Sequence, residues 1–160
     1  MIRNKINPSL DNLNYLNHNL SWIPGSENIR PTTENVSKKE LWLENINYFY
    51  DSEVHYVLSE VFNFKSEFVL GKLHVKKSNI SNKHIFKENM FPYELPKNTN
   101  HYIIWYSYNQ VDEDQINKDI NNSLLIMLGN DNFDFVWYEN PKKSLPEINH
   151  YQVFWINLNL

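Results

Sequence analysis

The sequence predicts a single α+β domain, a mainly antiparallel sheet with helices packed on one face. Three observations predict it. The chain is 160 residues long, the size of one domain. It is 41% hydrophobic and 21% charged, enough apolar material for a core. Its hydrophobic period shifts from helical to strand-like near Phe64, after which the order is strand, loop, strand, helix, strand, loop, strand.

Residues 1–36 are rich in Asn, Pro and Ser and are expected to form an N-terminal arm or docked segment, with 37–160 as the domain. Leu10, Leu13, Leu16 and Leu20 recur at near-helical spacing, which predicts a short docked helix after Pro8. Ser37 and Glu40 have the spacing of a capping box, and Val36 and Leu41 that of a hydrophobic staple, which predicts a helix over 38–50. A second helix restarts at Asp51 or Ser52, with Val54, Val57, Leu58 and Val61 on one stripe. EFVLGKLHV, rich in branched and aromatic residues, predicts one strand near 66–76. The turn-rich stretch to Asn100, with Pro92 and Pro96, predicts mostly loop.

HYIIWYS predicts a strand over 101–107. Asp112 caps a helix over 113–128, with Gln115 in the reciprocal position, Ile116, Ile120, Leu124 and Met127 as the buried stripe and Gly129 as a left-handed C-cap. Strands over 133–139 and 148–157 complete the sheet, and Trp137 and Trp155 are expected to reach its core.

Composition excludes several function classes. A formal charge of -4 gives no basic field, so general nucleic-acid or anionic-lipid binding is not expected. No apolar run is long enough to span a membrane and the N-terminus lacks a signal-peptide block, which predicts a cytoplasmic protein. With no Cys, disulfides, thiolate catalysis and Cys-based zinc sites are excluded. Asn occurs 26 times, Ala never and Arg twice, the usage of an AT-rich genome such as that of a giant virus or a protist. Five Trp run against that codon bias; they serve either core packing or stacking on a base or sugar.

Six His are present and none forms an H-x-H or H-x-x-x-H pair, so no metal and no cofactor are expected; His18, His55, His74 and His84 read as surface or edge residues. His101 and His150 differ because each stands at the mouth of a strand behind a Pro-containing loop. Alternation puts His150 and Gln152 on one face and Tyr151, Val153 and Trp155 on the other. His101 is expected at its strand's end, near His150 if the two strands pair. Asn140 and Ser144, in the loop before His150, either donate to phosphate, hold an imidazole tautomer, or serve as ordinary turn residues. Phe91, Pro92 and Tyr93 form either an aromatic clamp or a core anchor. Asp112, Glu113 and Asp114 read as helix-start charges, and Ser144 has no nucleophile elbow around it.

These residues carry two resemblances. ENMFPYELPKNTNHYIIW followed by VWYENPKKSLPEINHYQVFW resembles the uncharacterised domain of the fungal N-acetylglucosamine-induced protein 1-like family, which has relatives in large DNA viruses. Asn89, Phe91, Pro92, Tyr93, His101, Trp105, Trp137, Asn140, Ser144, His150 and Val153 match, and Gln152 replaces the family's second His. That family implies no activity. The element order also resembles the histidine-triad nucleotide-binding proteins, which implies His150 as nucleophile toward an α-phosphate, with Asn140 and Ser144 at comparable spacing. Gln152 then matches the Gln of the uridylyltransferase branch, and Ile148 stands where that family's first triad His belongs. The expected function is binding or processing of a phosphate-containing ligand (a nucleotide, sugar nucleotide or cap) by candidate catalytic His150 and His101 with Asn140, Ser144, Gln152 and Tyr93. The alternative is a non-catalytic viral structural or host-interaction protein.

Overall fold

The computed structural model describes residues 2–4, 33–91, 95, 99–139 and 145–159. Five strands form one antiparallel sheet: β1 (Ile2–Asn4), β4 (His84–Glu88), β5 (Thr99–Tyr106), β6 (Phe133–Tyr138) and β7 (Asn149–Asn157), in the order β1-β6-β7-β5-β4. A two-stranded hairpin, β2 (Glu67–Val69) and β3 (Lys72–His74), stands beside it. The helices are α1 (Thr33–Phe49), the short α2 (Glu53–Tyr56), which runs into a π turn at Val57–Val61, and α3 (Glu113–Leu128). The fold is α+β, as expected, and β5, β6 and β7 share one sheet.

α3 has the expected bounds because its signals are local and agree. Asp112 accepts a hydrogen bond from the Gln115 N–H at 2.8 Å, and Gly129 ends the helix at φ 73, a conformation glycine adopts without steric cost. Ile116, Ile120 and Leu124 are buried against Ile104, Tyr106, Phe133, Phe135, Trp137, Tyr151, Val153 and Trp155, so both tryptophans reach this core. Two details differ. Met127 is exposed, and the Gln115 side chain turns to Asp119 Oδ1 at 2.7 Å instead of back to the cap. Asp119 is itself buried and accepts the Tyr106 hydroxyl proton at 2.8 Å, so Gln115 answers a buried carboxylate that needs partners.

Other expectations are corrected. α1 begins at Thr33, five residues early, so Ser37 lies inside the helix and cannot cap it. The Glu34–Lys38 pair at 2.9 Å supports that first turn, and Val36 and Leu41 are exposed instead of stapled. The strand expected over 66–76 is a hairpin, turned at Leu70 and Gly71 with φ 51 and 84, the two positive values of a tight two-residue turn. The loop before Asn100 contains β4. Helices also lie on both sides of the sheet: α3 covers one face, while α1, α2 and the π turn approach the other. Val57 and Leu58 are buried and Val54 and Val61 partly buried against Phe62, Phe64, Val75, Leu145 and Ile148, which confirms the expected stripe. The segment around Leu10–Leu20 lies outside the described residues, whereas β1 pairs with β6 at the sheet's edge.

Candidate functional site

Alternation along β5 and β7 builds the site. His101, Ile103 and Trp105 project to the face opposite α3, where the antiparallel register sets them against Phe154, Gln152 and His150 respectively. Each imidazole stacks on its cross-strand partner: His101 on Phe154 with centroids 4.5 Å apart, and His150 on Trp105 at 4.9 Å, both pairs tilted by 24°. The register corrects the expectation that pairing would join the two histidines. They stand four residues apart along the strands, roughly 13 Å at the usual strand rise, and Gln152 lies between them.

His101 is not at a strand end. It is the third residue of β5 and only 3% exposed. Its Nε2 meets the Gln152 side-chain Oε1, toward which Asn89 Nδ2 also points, at 3.4 Å. Asn89 is fixed by its own chain, since its N–H donates to the His101 carbonyl at 3.0 Å and its Oδ1 accepts the Phe91 N–H at 2.8 Å. That bond orients the Asn89 amide, so two donors, Asn89 Nδ2–H and His101 Nε2–H, converge on one Gln152 oxygen. The 3.3 Å approach of Asn89 Nδ2 to His101 Nε2 is then a contact between two donors and not a bond. Burial pushes the His101 ring down to about 4, with the Gln152 bond opposing only partly, so the ring is neutral near pH 7.

His150 is 7% exposed, and its Nδ1–H donates to the Ile148 carbonyl at 2.7 Å. A carbonyl can only accept, so in the neutral ring Nε2 carries the lone pair. This bond is structural as well as orienting, because losing it would strand a buried carbonyl.

A cavity of about 340 Å³ lies over this face, at the lower end of the range for small-molecule sites. His150, Gln152, Ile103 and Trp105 form its floor, and Asn89 and Phe91 lie along it beyond β4. Trp42 and Lys39 of α1, Tyr56 and Glu53 of α2, and Val57 and Val61 of the π turn close the opposite wall. The π turn makes Phe62 N–H bond Val57 O at 3.1 Å, five residues back, an irregularity that recurs at functional sites. Trp42 meets Tyr56 and Phe91 edge-on at 5.0 and 5.5 Å. Burial raises the Glu53 carboxyl and the Tyr56 hydroxyl above their ordinary values.

His150 and Gln152 therefore line one cavity, and His101 stands behind them through Gln152. Asn140, Ser144 and Tyr93 lie outside the described residues. Phe91 lines the cavity as the clamp expectation has it, and Pro92 is not described. Trp42, Glu53, Tyr56 and Asn89 also belong to the site, and of these the sequence carries a signal only for Asn89, its place in the Asn-x-aromatic-Pro motif. Among the described residues, one group, Asp51, His55 and His74, has the donor chemistry of a metal site, and it was not expected from spacing.

No family model matches the chain, and no curated protein matches it. A solved structure described as HTC1 is similar over 79% of this chain and 75% of its own, at 12% identity and a TM-score of 0.45. That likeness is too low to establish a shared fold or function.

Proposed function

We propose that the cavity over β5 and β7 binds a small phosphate-containing ligand of mononucleotide size or less. The observation that carries this reading is the convergence of the His150 and Gln152 side chains, backed by Asn89 and His101, on a cavity walled by Trp42, Tyr56, Phe91 and Trp105. Aromatic walls suit an unsaturated ring, and fixed polar groups at one end suit its hydrogen-bonding edge. Lys39 and Lys87 supply the cations for phosphate; Glu40, Glu53 and Glu88 also line the cavity and disfavour a highly charged polyphosphate. The clustering of Asn89, His101, Trp105 and His150 supports membership in the N-acetylglucosamine-induced protein 1-like family, whose resemblance rests on those residues.

One observation favours a catalytic version of the same reading. With Nδ1–H bound to the Ile148 carbonyl, His150 holds the tautomer whose Nε2 lone pair a nucleophile or general base needs. No described helix is long and apolar enough to cross a membrane, and we place the activity in the cytoplasm, or in a virion or host cytoplasm if the AT-rich usage is viral.

The test is a Trp-fluorescence titration with nucleoside monophosphates, sugar nucleotides and a cap analogue, with adenosine as the phosphate-free control and product assayed in the same samples. Saturable quenching by AMP but not adenosine, weakened about tenfold or more in His150→Asn, is the expected result. Product formation adds the catalytic role. No response to any compound would leave the structural or host-interaction alternative standing.

A further inference from the structure

We propose that Asp51, His55 and His74 bind one divalent first-row transition cation. They come from three places, the turn between α1 and α2, the α2 helix and β3, and one ligand atom from each lies within 4.8 Å of the other two. The backbone holds them there: Tyr50 bridges Leu73, and the Asp51 N–H donates to the Leu73 carbonyl at 2.9 Å. Asp51 Oδ2 accepts a hydrogen bond from His74 Nδ1–H at 2.8 Å, so the two donor atoms already face each other, and a cation would replace that proton and open them to about 3.4 Å, the separation of two ligands on a tetrahedral ion with bonds near 2.1 Å. The His55 and His74 rings stack with centroids 4.1 Å apart, so the third donor needs only a small shift to join them.

Two imidazoles and a carboxylate are ligands for zinc, iron, nickel or cobalt, not for calcium or magnesium. Asp51 is exposed, so water completes the coordination. His55 adds a constraint of its own, because its Nδ1 accepts the Val75 N–H at 3.0 Å. That bond uses the neutral ring's lone pair, and ligation exchanges it for the cation whichever nitrogen binds. The affinity is therefore below that of a preformed site. A bound cation would tie α2, which carries Glu53 and Tyr56 into the cavity wall, to the β2–β3 hairpin.

Calorimetric titration of the chelator-treated full chain with Zn²⁺, and its Co²⁺ visible spectrum, test this. One equivalent should bind and raise the melting temperature. His74→Ala and Asp51→Asn should each weaken binding about tenfold or more, and His84→Ala, outside the cluster, should leave it unchanged. If His74→Ala does not fold, the near-isosteric Asp51→Asn carries the result. No saturable binding at millimolar cation, or binding unaffected by the cluster variants, would overturn the proposal.

Discussion

The two faces of the sheet are made by alternate residues of the same strands, yet their chemistry is opposite. On β7, Tyr151, Val153 and Trp155 enter the core under α3, while His150 and Gln152 line the cavity shared with α1 and α2, and Phe154 lies on their face against His101. The α3 face is closed: Ile104, Ile120, Leu124 and Val153 have no exposed surface. Its polar groups are mostly answered locally, as when Trp137 Nε1 donates to Asn117 Oδ1 at 2.8 Å; among the described residues Trp155 Nε1 is the buried side-chain atom without a partner. The other face keeps His101, His150 and Gln152 buried and a cavity above them. A core needs only area removed from water, and three buried polar side chains add nothing to that. The α3 face therefore carries an apolar core, whereas the other face, beside the apolar cluster of Val57, Leu58, Phe62 and Phe64, carries a polar constellation whose arrangement stability alone does not require.

That contrast can be broken experimentally. The largest effect belongs to the α3 face: Phe135→Ala should cost about 3–5 kcal/mol in urea denaturation, because Phe135 is fully packed between strands and helix. A loss below about 1 kcal/mol would mean that this face is not the principal core. Next is pH. The His101 ring has its folded value lowered to about 4 from an unfolded 6.5, so the folded state binds fewer protons. Stability from this group is complete above pH 6.5 and falls as pH drops toward 4, by about 3 kcal/mol, with no further loss below. Denaturation midpoints across that window should slope accordingly, and His101→Gln, which keeps a donor for Gln152, should flatten them. An unchanged slope would place the titration elsewhere.

Smaller effects sharpen the picture of the α3 face. Tyr106→Phe removes the hydroxyl bond to the buried Asp119 carboxylate and should cost about 1.5–3 kcal/mol by chemical denaturation. A neutral result would mean that water replaces the hydroxyl. Asp112→Ala removes the α3 cap and should cost about 1 kcal/mol, with thermal melts as the readout.

The difference between the faces also explains what the sequence disclosed. The bounds of α3 are legible to the residue, since the Asp112 cap, the stripe of Ile116, Ile120 and Leu124, and Gly129 are signals within one helix and they agree. The alternation of β7 was legible for the same reason. β4 was hidden because its Lys, His and Glu are ordinary for a loop, and only pairing with β5 makes it a strand. The hairpin was hidden because its turn uses Leu70 at positive φ, a position where Asn or Gly is the usual signal. Ser37 and Glu40 matched a capping box, but an earlier first turn at Thr33 overrode it. His150 and Gln152 were placed on one face correctly, whereas the His101 separation depends on register, a tertiary quantity that neither strand encodes alone. Trp42 and Tyr56 reach the cavity through helix packing, which leaves no spacing to read.

The central claim is that the cavity over Gln152 and His150 is a binding site. Filling it tests this most directly. Ile103 lines the cavity and is only partly buried, so Ile103→Phe should occlude the space without disturbing the core under α3. Calorimetric titration of both proteins with AMP should give saturable binding to the original chain and none to the variant, with melting temperatures within a few degrees. Equal binding by the two proteins would contradict the account, and so would no binding by either across the ligand panel.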